Sequence, residues 1–190
     1  MWNDADIEAA WRPPPYEADR AFTVYAASKA SAGKALWEFV EREKPAFAVN
    51  AILPNTNMGE ILSEKQGAST GKMVLALYIG DLGRYASVLP QWMVNIKDTA
   101  RLHVAARVFE DVVGERVLAF DRAYNYSDIL GVLRRFVSGR TFPRDVEGEE
   151  RDLSEVDNER GRELLRRLGR EERTGLEEMV RDNVKHLERK

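Results

Sequence analysis

No cysteine occurs in the 190 residues, which excludes a disulfide scaffold, a thiol nucleophile, an iron–sulfur cluster and a thiolate zinc site. The two histidines, His103 and His186, stand far apart and argue against a histidine-rich metal centre, so no metal ligands are expected. Charge of one sign is also missing. Thirty-two acidic residues face 29 basic ones for a net charge of −3, and the basic field of a nucleic-acid binder is absent. No apolar run approaches the roughly 18 residues that span a bilayer, so no membrane segment is expected. The start, Met1-Trp2-Asn3-Asp4-Ala5-Asp6, lacks the basic and apolar regions of a secretory signal, and a cytoplasmic protein is expected. The sequon Asn125-Tyr126-Ser127 then reads as a helix N-cap. What is present is core material. At 44% hydrophobic and 9% aromatic, a chain of this length can fill one domain.

Composition divides the chain into a peripheral segment 1–20, a core 21–143 and a charged helical lobe 144–190. A short helix over Ile7–Trp11 is stopped by Pro13-Pro14-Pro15. A long helix runs from Ala21 to about Glu43. Its small residues Ala26, Ala30 and Gly33, beside Leu36, Trp37 and Val40, predict close approach by another element. Strands are expected at Phe47–Leu53, Trp92–Ile96 and Arg116–Phe120, with a polar loop over 55–72. Helices are expected over Met73–Ile79 (closed by Gly80), over Ala100–Phe109 with Asp98 as N-cap, and from Asn125 or Ser127 to about Val137. Strand followed by helix is the rhythm of an α/β fold with parallel pairing. In the last 47 residues 27 are charged, yet Leu164, Leu165 and Leu168 make one apolar stripe. Leu176, Met179, Val180, Val184 and Leu187 make another. Twelve bases against 15 acids there indicate solvated helix faces rather than RNA binding.

One motif carries chemistry. In Tyr25-Ala26-Ala27-Ser28-Lys29 the tyrosine and lysine lie four apart on one helix face. A free phenol titrates near about 10, and a cation held beside it favours the phenolate. The pair therefore suits acid–base work on a carbonyl or alcohol. Taken alone, the same spacing also describes a packing tyrosine and a solvated lysine.

The motif stands in a wider context. It is followed by Ala35-Leu36-Trp37-Glu38-Phe39, by Val49-Asn50-Ala51-Ile52-Leu53-Pro54-Asn55 and by Gln66-Gly67-Ala68-Ser69-Thr70-Gly71. Val94-Asn95-Ile96-Lys97-Asp98-Thr99-Ala100-Arg101-Leu102-His103, Gly114-Glu115-Arg116, Leu164–Gly169 and Asp182-Asn183-Val184 complete the series. In this order the chain resembles the extended short-chain dehydrogenase/reductases of the NAD-dependent epimerase/dehydratase family, in their fungal aldehyde/ketone reductase branch. The resemblance implies Tyr25 as catalytic acid/base and Lys29 as the residue that holds the nicotinamide ribose. It places Pro54 and Asn55 beside the nicotinamide of NADP, if NADP is bound. Phe22, Asn55, Met58, Ser69, Tyr78, Trp92 and Met93 are candidate substrate-pocket residues, and core packing explains several of them equally well. Asp98 and Arg101 look structural even within the family.

The family's Gly-x-x-Gly-x-x-Gly turn, which holds the pyrophosphate, has no counterpart here. Gly67 and Gly71 have the wrong spacing, and the 24 residues before Tyr25 leave no place for the upstream catalytic serine. The expectation is a truncated Rossmann-like fold of few parallel strands plus a mainly helical C-terminal substrate lobe. On that reading the isolated chain needs no cofactor. Tyr25 promotes an isomerisation, cyclisation or dehydration of a small hydrophobic, natural-product-like carbonyl or alcohol. The alternatives are an NADP(H)-dependent aldehyde/ketone reductase whose cofactor half is supplied elsewhere, and a non-catalytic binding or regulatory protein. Uncovered helix and strand faces imply a homodimer first and a Rossmann-bearing partner second.

Overall fold

Three consecutive prolines divide the first fifty residues into two helices, α1 (Asp4–Ala10) and α2 (Arg20–Glu43). This computed structural model describes residues 2–18, 20–63, 70–85, 88–172 and 174–187. The N-cap of α1 is Asn3, whose side chain accepts from the Asp6 amide at 3.1 Å. The close approach expected of α2 is realised within this unit, because the Trp2 ring lies where Gly33 has no side chain. A Cβ at Gly33 would stand 2.7 Å from that ring. Ala27 and Ala30 are the buried residues of α2, and Lys34 pairs with Asp4. Lys44, at φ +45°, turns the chain out of the helix just before Pro45.

Residues Met1–Val49 form one compact unit and Asn50–Lys190 a second. In the second unit β1 (Ala51–Pro54) pairs in parallel with β4 (Arg116–Ala119), Ala51 opposite Arg116 and Pro54 opposite Ala119. A separate three-stranded sheet has β3 (Gln91–Asn95) at its centre. It pairs in parallel with β2 (Thr56–Met58) and antiparallel with β5 (Arg122–Tyr124). The α/β class with few parallel strands is therefore the observed one. Helices α3 (Gly71–Ile79), α4 (Ile96–Val108), α5 (Tyr126–Phe136), α6 (Glu159–Arg167) and α7 (Leu176–Val184) complete it.

Two apolar clusters hold this unit. The larger joins α3, α5 and α7 through Val74, Leu77, Ile129, Leu130, Leu133, Met179, Val180 and Val184, with Met58, Met93 and Tyr124 from the strands. The smaller packs α4 and α6 on β4 through Leu102, Ala105, Val117, Leu164 and Leu165. Both stripes of the charged C-terminal segment thus reach a core, in keeping with their helical periodicity.

Several elements differ from expectation. The strand over Phe47–Leu53 is confined to Ala51–Pro54, and Phe47 is exposed. Asn50 is the reason the strand starts so late. Its side chain donates to the carbonyls of Ala106 and Val112 and accepts from the Glu115 amide, pinning the lead-in before pairing begins. The loop expected over 55–72 contains β2, which exists by pairing with β3. The N-cap of α4 is Asn95, not Asp98, since its side chain accepts from the Lys97 amide at 2.7 Å. Asp98 sits one turn in, buried, and accepts from Arg101 at 2.7 Å and from the Thr174 amide at 3.3 Å. Asn125 does cap α5, in a reciprocal capping box with Asp128.

Candidate functional site

Helix α2 sets the Tyr25–Lys29 pair. A run rich in alanine favours an unbroken helix, and four-residue spacing stacks the two side chains on one face. The Lys29 ammonium lies 5.4 Å from the centroid of the Tyr25 ring, and the Phe22 ring is 6.4 Å from that of Tyr25. Both aromatic residues are open to solvent, Phe22 at 72% and Tyr25 at 59% exposure. Among the described residues no carboxylate pairs with Lys29, so its charge is free for a ligand. Ser28 donates its hydroxyl to the Tyr25 carbonyl at 2.7 Å. That bond satisfies the helix backbone and leaves Ser28 no part beside the phenol.

The remaining predicted residues belong to the second unit. Pro54 closes β1, and Asn55 makes the bend into β2, its side-chain oxygen accepting from the Thr56 hydroxyl at 3.3 Å. Met58 and Met93 are sealed at 1% and 0% exposure in the larger core. Tyr78 is half-buried, edge-on to Phe142 at 6.0 Å and under the Arg140 guanidinium at 4.5 Å. Trp92 is half-buried against Phe120, ring centroids 6.2 Å apart, and its indole N–H is buried without a hydrogen-bond partner. Ser69 lies outside the described residues.

A polar seam runs along β2 that residue spacing did not reveal. Asn57 accepts from the Thr99 hydroxyl through its side chain and from the Thr70 hydroxyl through its carbonyl, both at 2.7 Å. Thr56 shares a 3.4 Å contact with the Tyr124 hydroxyl, and burial pushes the Tyr124 phenol up to about 12, so it stays neutral. Beyond Met58, the buried Asn183 side chain of α7 donates to the Gly59 carbonyl at 2.9 Å. Its neighbour Asp182 pairs with Lys97 at 2.5 Å. The available signal was Asn183 itself, an amide on the apolar stripe of an amphipathic helix, where a partner is obligatory.

The open Tyr25–Lys29 pair suits a ribose and a reacting carbonyl. The diphosphate is not accommodated by the strand-to-helix turns at α4 and α5. Asn95 caps the first, and Asn125 caps the second. Glu149 further accepts from the Tyr126 and Ser127 amides at 2.6 and 3.0 Å, so the amides a phosphate would use are taken.

No protein-family model matches the chain. It is 37% identical over 182 residues to the NAD-dependent epimerase/dehydratase terH of Aspergillus terreus, a match covering 93% of this chain and 53% of that protein. It is 32% identical over 185 residues to aldehyde reductase 2 of Sporidiobolus salmonicolor, covering 96% and 54%. The chain belongs to the extended short-chain dehydrogenase/reductase family. It corresponds to the C-terminal half and spans about half the length of the curated relatives it matches. The crystal structure of Candida albicans Gre2 with NADPH superposes with a TM-score of 0.71 at 23% identity, over 89% of this chain and 52% of that one. That likeness concerns the fold. Among the described residues no helix is long and apolar enough to cross a membrane.

Proposed function

We propose that this chain is the proton-transfer and substrate-binding half of an NADP(H)-dependent reductase acting on a hydrophobic aldehyde or ketone. The observation that carries the reading is the Tyr25–Lys29 pair, exposed on one helix face with the lysine unpaired. It occurs in a chain whose relatives are named aldehyde reductase, ketoreductase and epimerase/dehydratase. The dinucleotide, when bound, supplies the hydride. Tyr25 donates its phenolic proton to the substrate oxygen, and Lys29 holds the ribose hydroxyls and orients the phenol. Pro54 and Asn55, at the carboxyl end of β1, are the residues carried over as neighbours of the nicotinamide.

The names of the relatives support reduction over the cofactor-independent isomerisation, cyclisation or dehydration that the chain's length suggests. The capped turns at α4 and α5 support a reading in which the diphosphate is held elsewhere than at these two turns. The test is a chimera in which the N-terminal half of the Sporidiobolus aldehyde reductase is fused ahead of residue 1. NADPH oxidation is followed with a panel of aliphatic and aromatic ketones. Carbonyl-dependent oxidation that disappears in Tyr25→Phe is the expected result. Equal rates in the two chimeras would remove Tyr25 from the chemistry and with it this reading.

A further inference from the structure

The loop between α1 and α2 holds more chain than the connection needs. Arg20, the first residue of α2, donates through its guanidinium to the Ala10 carbonyl at the end of α1 at 3.2 Å. The two helix ends therefore stand within one side chain's reach. Residues 11 to 19 nonetheless lie between them, enough chain to span about 30 Å when extended. Residues 11–18 are all exposed. A cleft of about 170 Å³ is bordered by Pro13, Pro15 and Tyr16 of the loop and by Ala9 and Thr23 of the helices. In the middle of the loop stands Pro13-Pro14-Pro15-Tyr16. One proline suffices to stop a helix, so the run exceeds what ending α1 requires. Tyr16 is 58% exposed, and one face of its ring is held by the Arg20 guanidinium, 3.9 Å from the centroid. Among the described residues neither its hydroxyl nor any carbonyl from Arg12 to Tyr16 is hydrogen-bonded.

In a polyproline II helix three residues make a turn and each rises about 3.1 Å. In that form Pro13 and Tyr16 lie on one face about 9 Å apart, with Pro14 beside Pro13 and Pro15 turned away. We infer that this loop is a docking peptide for a WW-type domain, whose aromatic-lined groove takes Pro13 and Pro14 and whose next pocket takes the Tyr16 phenol. The prolines have little chain entropy to lose on binding, and the bare carbonyls offer acceptors to the groove. The free loop bends at residues 14 and 15. No hydrogen bond ties that bend among the described residues, so docking straightens it without breaking one. An SH3-type groove reads Pro-x-x-Pro, and none of the three prolines has another proline three residues on. The inference is independent of the reductase reading, because it uses neither the Tyr25–Lys29 pair nor any residue of the second unit.

The test is a titration of the 190-residue chain into an isotope-labelled WW domain of the class that takes tyrosine-containing proline peptides, followed by NMR. An SH3 domain serves as the parallel probe. Saturable shifts confined to the WW groove, with a micromolar dissociation constant, are the expected result, and none in the SH3 domain. Tyr16→Ala, Pro13→Ala and Pro14→Ala should each weaken binding at least ~10-fold. Pro15→Ala, at the position turned away from the groove, should stay within about 3-fold of the wild type. Tyr16→Ala also removes the Arg20 stack, so if circular dichroism shows that variant to have lost helix, Pro14→Ala decides. A wild-type chain that gives no saturable shifts, or that binds the SH3 domain alone, would overturn the inference. So would a loss in Pro15→Ala equal to that in Pro14→Ala, because the faces of the run would then carry no recognition.

Discussion

The two units of the chain spend their apolar residues differently. In the first, the buried residues of its long helix are two alanines, while Phe22, Val24, Tyr25 and Phe39 are exposed. In the second, 24 apolar residues are buried among those described, Met58, Met93 and Tyr124 with them. The Tyr25–Lys29 pair thus stands, with Phe22, on a helix whose own unit buries little, and the other described candidate pocket residues stand in a unit held by two cores. Chemistry and stability should therefore respond to different substitutions. The largest separation is at Tyr25. In the chimera described above, Tyr25→Phe should lower the rate by about 10²–10⁴-fold. A hydroxyl on a ring that is 59% exposed contributes little to folding, so the denaturation midpoint should move by no more than about 0.5 kcal/mol. Equal losses in rate and stability would erase the contrast between the units.

The converse substitution is Met179→Ala. Met179 is fully buried between α3, α5 and α7, and its removal leaves a cavity that costs about 2–5 kcal/mol. Urea denaturation monitored on the second unit should show that loss, with the Tyr25 environment unchanged by tyrosine fluorescence below the transition. A smaller effect is expected at Gly161→Ala. The added methyl would meet the Leu118 carbonyl, a backbone atom that cannot rotate aside. Moving α6 off β4 should cost about 1–3 kcal/mol in the same denaturation experiment. Full stability in this variant would show that α6 is held only loosely on β4.

What the sequence made legible depended on range. The stripe Leu176, Met179, Val180 and Val184 is periodic within one helix, and it is the buried face of α7. Asn125 before Tyr126-Ser127-Asp128 is a local capping signal, and its box is formed. The Tyr25–Lys29 pair is legible for the same reason, being set by four residues of one helix. Strands β2 and β5 were missed because each is three residues long and exists through its pairing with β3. Asp98 was read as a cap because an acid before an alanine-rich helix suits that place. Its carboxylate is instead spent on Arg101 and on Thr174, 76 residues away. The seam at Asn57 joins residues 42 apart, and no local pattern encodes such a pair.

The smallest effect concerns a surface ion pair that ties α6 to the end of α4. Arg167 donates to both Asp111 oxygens, at 2.8 and 2.6 Å, and stacks 3.9 Å from the Phe109 ring centroid. The guanidinium beside it holds the Asp111 carboxyl down at about 2. A carboxylate whose folded value lies below its unfolded one binds fewer protons in the native state. Its contribution is therefore complete above about pH 4 and is lost as the pH falls through the folded value. Thermal melts of the wild type and Asp111→Asn should differ slightly at pH 5 and converge as the pH approaches 2. The difference should be small because the pair is solvent-screened, and because Phe109 still positions Arg167 when the carboxylate is neutral. Added salt should shrink the gap at pH 5. A gap that persisted unchanged at pH 2, or that ignored salt, would assign the role of Asp111 to packing rather than charge. In that case the stability of the second unit would rest on its apolar clusters with no measurable share from its charged helices.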